Sequence, residues 1–130
     1  MQKLQWEKSW DKAVATQDRE QIELIFLKTK DLMIEDILFT PIREAINYKK
    51  EFLVTVLVHN FTDQELIFDQ TRLVYAIGNE VMARYLFTIP MLIIPPKASM
   101  PWTFIFPEGS YFAASFLENG RLQIHSISKG

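Results

Sequence analysis

The sequence predicts a mainly β protein, an antiparallel β-sandwich of about seven strands behind one N-terminal amphipathic helix. Three observations carry this expectation. One early segment places apolar residues at helical spacing, and past it the apolar period drops to two. Short runs of β-branched and aromatic residues then follow one another, separated by Asn, Asp, Gly and Pro turn signals. Strands and helices never alternate as they would in a parallel sheet wrapped by crossovers.

The helix comes first. Ile22, Ile25 and Phe26 share a face, Leu24 and Leu27 widen it, and Arg19, Glu20, Glu23 and Lys28 cover the remainder, which predicts a helix over residues 18–29 packed on a sheet. Asp18 with Gln21 three residues later resembles a capping box, and the pattern stops by Lys30 and Asp31. From Met33 the period is two, and Pro41 inside this run suggests an edge strand or a bulge. Asn47 to Lys50 reads as a turn. Residues 51–60 are apolar on both faces and dense in β-branched side chains, as expected of a central strand.

After a turn at 61–64 come a short strand, 65–68, and a longer one, 71–77. The latter meets 80–87 across Gly78-Asn79, a hairpin signal of the kind that begins with glycine. Residues 90–101 hold four of the six prolines and predict an extended connection poor in ladder hydrogen bonds. The last clear strands are 102–106 and 121–128, and 107–120 shows no legible pattern. Seven or so short strands without repeat or composition break give one domain over 1–130, a sandwich of the immunoglobulin or fibronectin kind.

Bulk properties narrow the function. The net charge is −2, with lysine and arginine scattered, so the basic footprint of a nucleic-acid binder is missing. With no cysteine, disulfides, thiolate metal sites and cysteine nucleophiles are excluded together. The N-terminus turns charged at once and develops no signal-peptide core, and the most apolar windows are too short or proline-broken to span a bilayer; both point to a cytoplasmic chain without a transmembrane segment.

No catalytic, cofactor or metal site is expected. His59 and His125 sit in predicted strands without a second histidine or a carboxylate at ligand spacing, and read as structural histidines. Glu35 and Asp36 are adjacent on a strand and so point to opposite faces, while Asp63 and Glu65 fall in or beside a turn. No serine occupies a Gly-x-Ser-x-Gly elbow, and the four glycines are isolated, so no phosphate loop is present. Asn60-Phe61-Thr62 matches a glycosylation triplet but is better read as turn chemistry. Trp6, Trp10, Trp102, Tyr111 and Phe112 could instead line a stacking platform for a glycan or other small ligand, the alternative to a protein-binding role.

The order of motifs from Trp10 to about Phe112 resembles the SLAP domain family. The most specific piece is the segment from Ile94 to Phe106, similar to that family's pattern of Ile-Pro-Pro, small residues, Pro-Trp and alternating aromatics: here Pro95, Pro96, Pro101, Trp102, Phe104 and Phe106. The run ending at Asn60, with His59 where the family pattern has arginine, supports it, as do Leu73, Ala83-Arg84 followed by Phe87, and the opening Trp10. The resemblance implies a non-enzymatic accessory of the secretion pathway that assembles surface layers. The implied partners are a secretion ATPase, a surface-layer protein or another copy of the chain as a homodimer. These motif residues read as fold-keeping, with Trp102 aimed into the sandwich beside Phe104 and Phe106.

Overall fold

The structure, a computed structural model, describes residues 1–112 and 120–125. In chain order the elements are β1 (Lys3–Leu4), α1 (Lys8–Ala13), α2 (Thr16–Thr29), β2 (Ile37–Ile46), β3 (Phe52–Asn60), β4 (Leu66–Ile77), β5 (Glu80–Ile94), β6 (Ala98–Phe106) and β7 (Arg121–Ile124). They form two sheets, β1-β6-β3-β2 and β5-β4-β7, facing one another as a sandwich. The chain crosses between sheets after β3, after β5 and after β6, and all pairings are antiparallel except β1 with β6.

The core between the sheets follows from alternation. Phe52, Val54, Val56 and Val58 of β3 point inward, and so do their register partners Phe106, Phe104, Trp102 and Met100 on β6. Phe68, Leu73 and Tyr75 of β4 and Ala83, Phe87, Leu92 and Ile94 of β5 close the core from the other sheet. Phe104 is its hub, with Phe39, Phe68 and Phe87 ring centroids at 6.1, 5.4 and 5.5 Å. The other face of β3, carrying Thr55, Leu57 and His59, is also buried. Alpha2 covers that second face through Ile22, which explains why β3 is apolar on both sides.

Several expectations are corrected. Among the described residues there are two helices, not one: α1 precedes α2, and the six-residue α1 is too short to announce itself by periodicity. Alpha2 begins at Thr16 with Ala15 as its N-cap and no side-chain capping bond, so Asp18 and Gln21 are not a capping box; Asp18 instead takes a hydrogen bond from Arg43 at 3.2 Å. Residues 65–68 and 71–77 are one strand, β4, interrupted by a bulge at Asp69 and Gln70, where Gln70 has φ of 53°. The region 90–101 is not a free connection. Pro90 lies within β5, where register slips from Ile89 to Ile93, and Pro101 lies within β6 opposite Leu57.

Other readings match. Pro41 marks both an edge strand and a bulge, since β2 is outermost and its register shifts between Pro41 and Arg43. Asn47 Oδ1 accepts from Lys49 N and Glu51 N, each at 3.0 Å, which makes the β2–β3 turn. In the β4–β5 turn Gly78 takes φ of 63° while Asn79 stays at negative φ, as a glycine-first hairpin requires. Of the predicted last strand, 121–124 is β7, and 126–128 lie outside the described residues.

Candidate functional site

Three places in the fold gather unusual chemistry. The first is a buried polar chain under α2. His59 is fully buried and stacked on Phe61 at 5.2 Å, with Phe26 on another side at 6.3 Å. Thr29 Oγ1 donates to the Ile25 carbonyl at 2.7 Å, so its oxygen is left to accept from His59 Nε2, also 2.7 Å away. Gln2 Nε2 donates to Ser99 Oγ at 3.1 Å, and Ser99 in turn donates to His59 Nδ1 at 2.6 Å. Every proton has a place when His59 is neutral with hydrogen on Nε2, a tautomer assigned from this network. Burial pushes its pKa down to about 4. The chain ties the residue ahead of β1 to β6, β3 and α2, a structural use of His59.

The second place is Asn60, fully buried at the end of β3. Its Nδ2 reaches the carbonyls of Gln64, Ile94 and Pro95 at 2.8, 3.1 and 3.1 Å, and its Oδ1 accepts from Thr62 N and Thr62 Oγ1 at 3.0 and 2.7 Å. Asn60 thus clamps the β3–β4 turn to the β5–β6 turn, where Pro95 and Pro96 lead into Lys97 with φ of 58°. Asp63, one of the paired carboxylates noted in the sequence, lies 3.4 Å from Lys97 Nζ across the same junction.

The third place is one open side of the sandwich, between β5 and β6. Gln5 N donates to the Ser99 carbonyl at 2.8 Å, so the backbone groups of Ser99 point off the edge of β6; by alternation those of Pro101, Thr103 and Ile105 do the same. Beta1 covers only the start of this edge. On β5, Arg84 N donates to the Ser110 carbonyl at 3.0 Å, and by the same alternation Leu86 and Thr88 present free backbone groups beyond that bond, among the described residues. A groove of about 440 Å³ runs between the two edges, lined by Leu86, Thr88, Ile89, Trp102, Thr103 and Ile105 among others. Tyr85 and Leu86 are each 42% exposed and Ile105 45%.

Neither 85–94 of β5 nor any residue of β6 is Asp, Glu, Lys or Arg. The opposite outer strand, β2, has Pro41, a bulge at Ile42, Arg43 and Glu44, the usual guards of an edge against strand addition.

The motif residues divide accordingly. Phe87, Phe104 and Phe106 are core, with Phe87 and Phe106 centroids 5.2 Å apart. Pro101 is buried within the edge strand β6, where its missing N–H falls on the unpaired side. Trp102 faces inward as expected but is only half-buried, packed on the core's margin where it floors the groove. Trp10 is half-buried on α1 and lines a separate cavity of about 480 Å³ with Ile22, Thr55 and Thr103.

The five aromatics considered as a stacking platform are not brought together. Trp10, Trp102 and the Tyr111–Phe112 pair line three different concavities. Trp6 is covered by the Arg19 guanidinium at 4.4 Å, and Tyr111 packs on Phe52 at 5.6 Å. Glu35 and Asp36 lie exposed ahead of β2, and His125 is exposed beyond β7, far in sequence and element from His59. Among the described residues no three His, Cys, Asp or Glu side chains are grouped to hold a metal ion, and no helix is long and apolar enough to cross a membrane.

Fold and surface together define a two-sheet β-sandwich with a helical layer over one sheet and an uncharged gap between two strand edges. Residues 4–124 match the SLAP domain, and the chain belongs to that family, one associated with secretion and the S-layer. It matches no curated protein and no solved structure.

Proposed function

We propose that this chain is a non-enzymatic protein-interaction module that assists secretion and surface-layer assembly in the cytoplasm, and that it engages polypeptide along the open side between β5 and β6. One observation carries the reading: β6 and residues 85–94 of β5, none of them charged, face each other across a groove of about 440 Å³ lined by Trp102. Proteins guard solvent-facing edges with charge, proline or bulges because free N–H and C=O groups recruit other strands. An edge left apolar beside exposed Tyr85, Leu86 and Ile105 suits strand addition, in which main-chain bonds supply affinity and the groove selects side chains. The family supports a secretion ATPase or a surface-layer protein as the heterologous partner.

The test is capture from the native lysate by tagged wild-type chain, Leu86→Lys and Ile105→Lys, with Tyr48→Lys as a control on the β2–β3 turn. The reading expects a secretion ATPase or surface-layer protein to be retained by wild type and by Tyr48→Lys, and lost from the two edge variants while their circular dichroism is unchanged. Equal capture by all four would refute it.

A further inference from the structure

Resting on that reading, we infer that the open side is also self-complementary: in the absence of another partner, two copies join along it, β6 against β6, about a two-fold axis at Thr103. The register follows from the backbone. The free edge of β6 begins after Ser99, whose carbonyl is taken by Gln5, and ends at Phe106, before Pro107. Within it the groups that point outward belong to Pro101, Thr103 and Ile105, three residues centred on Thr103.

Antiparallel pairing about that centre exchanges two N–H···O bonds between the two Thr103 residues. Two more run from each Ile105 N–H to the Pro101 carbonyl of the other copy. Proline has no N–H, so the one donor each strand lacks falls at the end of the ladder, where its absence costs least. A register centred on Pro101 would oppose two missing donors and collide with β1. One centred on Ile105 would drive the second strand past Phe106 into the Pro107–Ser110 turn, which is closed by Ser110 N donating to the Pro107 carbonyl at 3.0 Å.

The surfaces fit the same arrangement. An uncharged strand meets an identical uncharged strand with no like-charge cost, and the Thr103 pair sits directly opposite itself, a favourable cross-strand match. Joining the edges makes one continuous sheet across both copies and brings the two β5 edges alongside, covering Tyr85, Leu86, Trp102 and Ile105 together. Partner capture and self-pairing then compete for one edge, so the free chain stores its sticky side against itself. An isologous two-fold contact of this kind closes on itself and stops at a dimer.

The native chain has no cysteine, which makes a single introduced thiol unambiguous. Thr103→Cys places two thiols across the axis at Cα separations of about 5.5 Å, within disulfide reach. Tyr48→Cys, at a residue 89% exposed on the β2–β3 turn, reports random collision. The expected result is at least a tenfold excess of reducible dimer for Thr103→Cys. Sedimentation equilibrium of the unmodified chain is expected to show dimer at about 100 µM that dissociates on dilution, shifted at least tenfold toward monomer by Ile105→Lys without change in circular dichroism. A wild-type chain monomeric at about 200 µM, or cross-linking no faster than Tyr48→Cys, overturns the inference. The proposed function stands in that event if the edge variants still lose their captured partner, and both fall if they do not.

Discussion

Lowering the pH from 7 to 4.5 is expected to weaken the attachment of α2 and β1 to their sheet, and His59 sets by how much. Its partners are all neutral: the hydroxyls of Thr29 and Ser99 and the rings of Phe26 and Phe61. A proton on Nδ1 would leave Ser99 without an acceptor and place an unpaired charge in the interior, which is why burial depresses the pKa to about 4. In the unfolded chain a histidine titrates near 6.5. Between those values the unfolded state binds a proton that the folded state refuses, so stability falls as the pH falls and levels off below about 4. The loss works out at about 1 kcal/mol by pH 5.5 and about 2–3 kcal/mol by pH 4.5. Urea unfolding of wild type and of His59→Gln at pH 7, 5.5 and 4.5 isolates this contribution, because the carboxylates titrate in both. The variant is expected to be less stable at pH 7 but flatter with pH by that amount. Parallel pH profiles, or a His59 ring resonance that titrates above pH 6 in a His125→Asn background, would refute the reasoning.

Four further substitutions test the packing. Phe104→Ala, at the fully buried hub of four rings, should cost about 4 kcal/mol, and half-buried Trp102→Ala about half as much; chemical denaturation that reverses this order would remove Trp102 from the groove margin. Asn60→Ala deprives the carbonyls of Gln64, Ile94 and Pro95 of their shared donor, and a loss of about 3 kcal/mol is expected in urea melts, with a loss below about 1 kcal/mol counting against the clamp. Gly120→Ala would set a Cβ 2.5 Å from the Tyr75 ring, so a thermal scan should show a drop equivalent to about 2 kcal/mol, and an unchanged melting point would mean the ring yields freely.

The strands were legible where one period ruled a whole element. Beta3 reads as doubly buried because every position from 52 to 60 is apolar or able to bond within a network, and it is doubly buried because α2 lies on it. The breaks were less legible. Pro90 and Pro101 look like interruptions in sequence, yet each sits where an edge position or a register slip leaves no donor required, and that depends on which strand is outermost. Beta1 is two residues long and exists only because β6 offers it an edge, so no local pattern could announce it. The buried chain from Gln2 to Thr29 joins the residue ahead of β1 to three elements and was invisible for the same reason, although a histidine inside an otherwise apolar run was its one local trace. The open side left a clearer trace: 85–94 and 98–106 contain no charge, which in a strand at a sheet's edge is a property to be explained.

Pro101 shows why the motif that marks this family and the surface proposed to act are not separate sets of residues. Within a molecule its φ suits β6, its ring is buried, and its missing N–H faces the one side where no ladder bond is made. Between molecules the same missing donor limits how far a docking strand can run toward β1, so only Thr103 and Ile105 offer N–H groups to an incoming chain. A residue kept for folding thereby fixes the length and register of what can bind. Replacing Pro101 by alanine is expected to leave the fold intact while restoring the absent donor at each end of the self-paired ladder. Dimer should then tighten by several fold in sedimentation equilibrium. A weaker dimer with an unchanged melting point would mean that the strand entering this edge takes another register.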